Sequence, residues 1–91
     1  MKNLLIVDDE VDMLPLYEIK FEEEISKGEL KIYFAASSAE ALSMLASFPK
    51  RAFVLILSDI NMPEMDGYQL LSIIKEKYPY NRVIMVSGYD R

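Results

Sequence analysis

A small set of polar residues in this chain stands directly after short apolar runs. Asp8 and Asp9 follow the first run, Asp59 follows a later run, and Ser87 follows the last. Carboxylate oxygens are the ligands that a hard divalent cation such as Mg²⁺ prefers in proteins. A cation held in this way offsets charge on phosphoryl oxygens, and an aspartate can act as a nucleophile. These residue types therefore favour metal-dependent phosphoryl chemistry, provided that the fold brings them together.

Short apolar runs alternate with helical periodicity along the chain, which predicts an α/β fold with a parallel sheet. The predicted strands cover 4–7, 30–34, 53–57 and 82–86, and the predicted helices cover 12–27, 37–48 and 66–78. Right-handed crossovers, with the first helix and the later two on opposite faces, give the strand order 2-1-3-4. The first and third strands are then neighbours about 4.8 Å apart. We therefore expect Asp8, Asp9 and Asp59 to share one crevice.

Turn and cap residues support these boundaries. Asp12 is predicted to cap the first helix, and Gly28 to follow its end. Ser37 and Glu40 have the spacing of a capping box at the start of the second helix. Lys31 is typical of an edge strand, so we expect the second strand at one edge of the sheet.

Composition narrows the classes of function. The chain has 91 residues, a net charge of −5, no cysteine and no histidine. The length predicts one small domain, and the acidic balance argues against nucleic acid and anionic membrane surfaces as partners. Without cysteine and histidine side chains, a metal would be bound by oxygen. We see neither a signal peptide nor an apolar run near the ~20 residues of a membrane helix, so we expect a cytoplasmic protein.

Each acid also has a purely structural explanation. A single aspartate at the end of a strand often caps a turn, and Asp66 is predicted to be a helix cap rather than a ligand. We favour a shared site for Asp8, Asp9, Asp59 and Ser87 because all of them stand at matching strand ends, where open α/β sheets bind ligands.

The segments LLIVDDE, SDINMPEMDG and VIMVSG, in this order and spacing, resemble the receiver domain of two-component response regulators. The resemblance covers essentially the whole chain. It implies a flavodoxin-like fold and a role in phosphorelay signal transduction. The domain prediction is accordingly a receiver domain over residues 1–91.

The resemblance also implies a role for each matching residue. Asp59 would accept a phosphoryl group from a sensor histidine kinase or a phosphotransfer protein. Asp8 and Asp9 would be the acidic pair that holds Mg²⁺, with Asp9 as the direct ligand of the two, and Asp59 would also ligate the metal. Asn61 would ligate the metal through its backbone carbonyl, and Ser87 would supply the switch hydroxyl that turns toward the phosphoryl group. Two further residues, Pro63 and Gly67, match the loop that shapes the pocket.

The sequence departs from the family in one large respect. A full receiver continues through another helix, a fifth strand that ends in a lysine, and a fifth helix. None of these is predicted here, so the expected domain is incomplete and its sheet is truncated before the fifth strand and last helices. The apolar strand at 82–86 would then be an open edge, and one sheet face would be half covered. We therefore expect a homo-oligomer formed through the exposed sheet edge or face.

The leading interpretation is a phosphoacceptor domain that switches conformation for output and is not an enzyme, with slow autodephosphorylation at most. The alternative is a non-catalytic, truncated receiver that acts as a self-associating or partner-binding structural module. A phosphatase of the aspartyl-phosphate type is disfavoured, because Asn61 stands where such enzymes carry a second acid. A dinucleotide-binding domain is also disfavoured, because no glycine-rich turn follows the first strand.

Overall fold

A computed structural model describes residues 2–60, 62 and 67–86. Within these ranges a parallel sheet is formed by β1 (Lys2–Val7), β2 (Leu30–Ala35), β3 (Phe53–Asp59) and β4 (Val83–Val86). The strand order is β2-β1-β3-β4, which confirms the predicted order and the flavodoxin-like class. The second strand lies at an edge of the sheet, as the lysine at its start indicated.

Helices connect the strands in sequence. They are α1 (Leu14–Lys20), α2 (Glu22–Ser26), α3 (Ser38–Ser47) and α4 (Gly67–Lys77), and a turn of 3₁₀ helix at Val11–Met13 precedes α1. Among the described residues, none of these helices has both the length and the apolar content needed to span a bilayer.

The main core lies between the sheet and helices α3 and α4. Side chains of adjacent strand residues alternate between the two faces, so Leu5 and Ile56, which are paired across β1 and β3, point the same way. They pack against Leu45 of α3 and against Leu70 and Ile74 of α4, and all of these side chains are buried. The densely packed core therefore holds the two strands that carry the acids in a fixed register.

The opposite face of the sheet is covered unevenly. Leu4 and Ile6 of the central strand β1 are buried on this face. Leu57 of β3 is only half-buried, and its β4 neighbour Ile84 is 50% exposed. Within the described residues, β4 pairs with β3 alone. The β3–β4 half of this face is therefore an apolar surface beside an open strand edge.

The first helical segment differs from the single capped helix predicted over 12–27. Asp12 lies within the 3₁₀ turn, and no side chain caps either this turn or α1. The prediction of an Asp12 cap is wrong because the chain leaves its extended conformation two residues earlier, at Glu10. The helix is also interrupted at Phe21, whose φ and ψ are −107° and 21°. Gly28 has a φ of 72°, which confirms the predicted glycine at the end of α2.

Two side chains at the start of α3 satisfy backbone groups of the helix terminus. The Ser37 hydroxyl accepts a hydrogen bond from the backbone N–H of Glu40 at 3.1 Å. The Glu40 carboxylate accepts one from the N–H of Ala36 at 3.3 Å, one residue before the usual partner. The predicted capping box is therefore confirmed with a shifted second bond.

Replacing Ser37 by alanine should lower the free energy of unfolding by about 1 kcal/mol, because an N–H in the first turn of α3 loses its acceptor. Urea unfolding followed by circular dichroism measures the change. Ser43→Ala, on the exposed side of the same helix, is the matched control and should not lower the midpoint, because alanine is the better helix former. Equal midpoints for the two variants would contradict a stabilising cap.

Candidate metal centre

Parallel pairing of β1 with β3 brings three carboxylates together. Val7 pairs with Ser58, so the next residues, Asp8 and Asp59, lie side by side at the carboxyl edge of the sheet. One carboxylate oxygen from each of Asp8, Asp9 and Asp59 lies within 4.8 Å of the others. The three acids that the sequence places at strand ends thus form one cluster, which we call the acidic triad.

The members of the acidic triad differ in burial. Asp8 is 1% exposed and Asp59 is 3% exposed, whereas Asp9 is exposed to solvent. Two buried carboxylates and one exposed carboxylate therefore converge at a place where a cation could bind.

Backbone contacts fix the orientation of Asp8. Its Oδ1 accepts a hydrogen bond from the N–H of Glu10 at 2.9 Å, and its own N–H donates to the carbonyl of Ala35 at 3.0 Å. The first bond closes a turn between the side chain and the backbone two residues later. The strand end and the turn after it therefore hold this carboxylate in place before any ion binds.

The donor set fits Mg²⁺. A hard cation takes oxygen ligands, and Mg²⁺ is usually bound by one or two carboxylates with water and substrate oxygens completing its octahedron. Two buried carboxylates and one exposed carboxylate within 4.8 Å of one another provide such ligands.

Some of the predicted site residues lie outside the described residues. These are Asn61 and Ser87, together with the loop residues Pro63 and Asp66. Their roles as metal ligand, switch hydroxyl, pocket-shaping residue and helix cap stay predictions. Gly67 is described and begins α4, as expected from its place in the sequence.

One residue near the triad was not assigned a function from the sequence. Ser58 is 1% exposed, and its hydroxyl donates to the backbone carbonyl of Asp59 at 3.2 Å. The only sequence signal was a polar side chain at the end of an apolar run, immediately before the predicted nucleophile. Such a signal does not distinguish a buried serine from one that merely ends a strand.

Two grooves elsewhere on the described surface do not contain the acidic triad. One, of about 210 Å³, is apolar and lies beside Met13 and Leu16; the other, of about 660 Å³, lies beside Phe21 and Glu29. A metal held by side chains at the rim of a sheet needs no deep cavity. The absence of the triad from these two grooves therefore does not argue against it as the candidate metal centre.

Comparison with known protein families identifies the class. The family model for the response regulator receiver domain matches residues 4–91. The chain belongs to this family and is a receiver domain of two-component response regulators.

Individual relatives agree with this assignment. A putative NtrX-like response regulator of Rickettsia bellii is 36% identical over 87 residues, which is 96% of this chain. The response regulator PilR of Pseudomonas aeruginosa is 34% identical over 88 residues, or 97% of this chain. The chain spans only 17% and 18% of the lengths of these relatives.

Solved structures show the same fold. The response regulator TrrA of Thermotoga maritima, crystallised in complex with Mg(2+)-BeF, superposes with a TM-score of 0.82 at 29% identity. A CheY-like receiver domain protein of Methanospirillum hungatei gives a TM-score of 0.81 at 32% identity. These alignments cover 99% and 100% of this chain, and 72% and 67% of the respective solved chains.

Mg²⁺ at a hundred times its dissociation constant should stabilise the fold by about 2.7 kcal/mol, because the ion binds the assembled triad and not the unfolded chain. For a domain of this size the melting temperature should rise by roughly 10–20 °C. Differential scanning calorimetry with and without Mg²⁺ measures the shift.

The shift should disappear in Asp9→Asn, which removes one carboxylate of the triad from a solvent-exposed position. Asp12→Asn, an exposed acid outside the triad, is the matched control and should keep the shift. Equal Mg²⁺ stabilisation of the two variants would show that the ion binds elsewhere.

Proposed function

We propose that this chain is the phosphoacceptor module of a phosphorelay, with Asp59 as the residue that takes the phosphoryl group. The observation that carries the proposal is the approach of Asp8, Asp9 and Asp59 to within 4.8 Å of one another, at the rim where β1 and β3 end. Membership in the receiver family supports the same role.

The proposed donor is a phosphohistidine on a sensor histidine kinase or a phosphotransfer protein. A carboxylate oxygen of Asp59 forms a bond to phosphorus while the phosphorus–nitrogen bond of the donor breaks, and the imidazole leaves with the electron pair. The product is an acyl phosphate on Asp59. Because Asp59 is 3% exposed, bulk water has little access to the reacting carboxylate in the unphosphorylated protein.

Asp8 and Asp9 would hold the cofactor beside the nucleophile, with the Asn61 carbonyl as a further ligand. When bound, Mg²⁺ would offset negative charge on the phosphoryl oxygens and on the approaching carboxylate. The related TrrA structure, in complex with Mg(2+)-BeF, supports the choice of ion. Asp8 is held by the Glu10 N–H at 2.9 Å, so its carboxylate needs little rearrangement to bind the metal.

After transfer, the Ser87 hydroxyl would turn toward the phosphoryl group and change the conformation of the surface used for output. The chain acts as a substrate of the kinase in this scheme and is not itself an enzyme, beyond slow loss of the phosphoryl group. Because the transfer partners of such a domain act in the cytoplasm, we propose the same location for this chain.

Incubation with acetyl phosphate and Mg²⁺ should add the mass of one phosphoryl group, as read by intact-protein mass spectrometry. Asp59→Asn should abolish the gain, because an amide oxygen is too weak a nucleophile to form the acyl phosphate. Asp12→Asn should gain mass at the wild-type rate. No gain in the wild-type protein, or an equal gain in Asp59→Asn, would refute the assignment.

A second candidate function is self-association as a structural module, and one specific feature favours it. Ile84 is 50% exposed on β4, which pairs with β3 alone among the described residues, and it lies next to the half-buried Leu57 of β3. An apolar strand with an open edge can pair with the same strand of another copy and bury both surfaces. This function does not require the acidic triad to react.

Sedimentation velocity at increasing protein concentration tests for such an oligomer. The Ile84→Lys variant should be more monomeric than the wild-type protein at the same concentration, because a charge on an edge strand opposes pairing. Leu16→Lys changes a side chain of similar exposure, 56%, on α1 and should leave the association unchanged. A wild-type monomer at high micromolar concentration would eliminate this candidate.

A further inference from the structure

Several hydrogen bonds fix the backbone at Asp59 and Ile60. Ser58 donates its hydroxyl to the Asp59 carbonyl at 3.2 Å. The next N–H, that of Ile60, donates to the carbonyl of Val86 at 3.2 Å, and the Ile60 carbonyl accepts from the N–H of Gly67 at 2.7 Å. The peptide group between Asp59 and Ile60 is therefore hydrogen-bonded to Ser58 of β3 and to β4, and the carbonyl of the next peptide is hydrogen-bonded to the start of α4.

Gly67 also approaches this peptide without a side chain in between. A Cβ atom at position 67 would overlap the Asp59 carbonyl oxygen and would lie 2.8 Å from the Cα of Ile60. Both of those atoms belong to the backbone and cannot rotate away. Only glycine permits α4 to begin in contact with the peptide that follows the acceptor aspartate.

Ser58 connects the same peptide to the core. It pairs with Val7 on one side and Met85 on the other, so its side chain points to the face packed against α3 and α4. A buried hydroxyl on an apolar face is costly unless it forms a hydrogen bond. Here that bond goes to the backbone carbonyl of Asp59, a member of the acidic triad, whose own side chain points to the other face of the sheet.

We propose that Ser58 is a positioning residue that, together with Gly67, fixes the Asp59–Ile60 peptide and thereby directs the Asp59 carboxylate toward Asp8 and Asp9. The benefit for transfer rests on the proposed phosphoacceptor function. The effect on local backbone order does not, because it depends only on the hydrogen bond between Ser58 and the Asp59 carbonyl.

Ser58→Ala removes the hydroxyl and adds no bulk to the core, so the variant should fold. Amide hydrogen exchange by NMR should show the Ile60 N–H and the Gly67 N–H exchanging at least threefold faster than in the wild-type protein. The N–H of Ala41, a buried residue of α3 bonded to the Ser37 carbonyl at 3.0 Å, should keep its protection relative to global unfolding.

The same variant should bind Mg²⁺ three- to tenfold more weakly by isothermal titration calorimetry. Its reaction with acetyl phosphate should slow by a similar factor at saturating Mg²⁺, because small displacements of a reacting group reduce transfer rates. Ser58→Thr keeps a hydroxyl, so its Ile60 N–H should exchange more slowly than that of Ser58→Ala. Gly67→Ala should show faster amide exchange, weaker Mg²⁺ binding and slower reaction with acetyl phosphate than Ser58→Ala.

Ser47→Ala is the matched control, because the Ser47 hydroxyl also donates to a backbone carbonyl, that of Ser43 at 2.7 Å, but at the far end of α3. It should leave Ile60 exchange, Mg²⁺ affinity and transfer rate unchanged.

Unchanged exchange at Ile60 and Gly67 in Ser58→Ala would overturn the proposal, even if the variant melts at a lower temperature. If the wild-type protein gains no phosphoryl group, the phosphoacceptor function fails, but the exchange experiment still decides whether Ser58 positions the peptide. Faster local exchange with an unaltered Mg²⁺ affinity would refute the link from the peptide to the carboxylate.

Discussion

The parallel pairing of β1 with β3 is the constraint on which the candidate site depends. The pairs Leu5–Ile56 and Val7–Ser58 set the register, and the residues that follow place Asp8 and Asp59 at one rim. A shift of one residue would move every side chain of a strand to the other face of the sheet. The apolar core that enforces this register therefore also sets the distance between the two buried acids.

The connection after β3 is anchored to the same core. Met62, three residues after Asp59, is 8% exposed and packs in the main cluster, with its sulfur 4.0 Å from the Ser38 hydroxyl of α3. Gly67 begins α4 against the Asp59–Ile60 peptide. The described residues of this connection therefore link the end of β3, beside the acidic triad, to both α3 and α4.

The acidic triad links the fold to the ion that it could bind. Asp8 and Asp59 are almost fully buried, and a third carboxylate lies within 4.8 Å of both. A cation that binds the assembled triad and not the unfolded chain would stabilise the folded state, which couples the stability of the domain to the occupancy of the site.

Apolar periodicity, crossover handedness and cap chemistry follow general rules, so they were sufficient to predict the strand order, the convergence of the acids and the capping box at Ser37. The interruption of the first helix at Phe21, the acceptor of the Ser58 hydroxyl and the atoms that Gly67 approaches came only from the three-dimensional arrangement. The approach of Gly67 to Asp59 and Ile60 joins two separate elements, and the bond of Ser58 depends on how its side chain is buried. No periodic pattern in the sequence specifies such contacts.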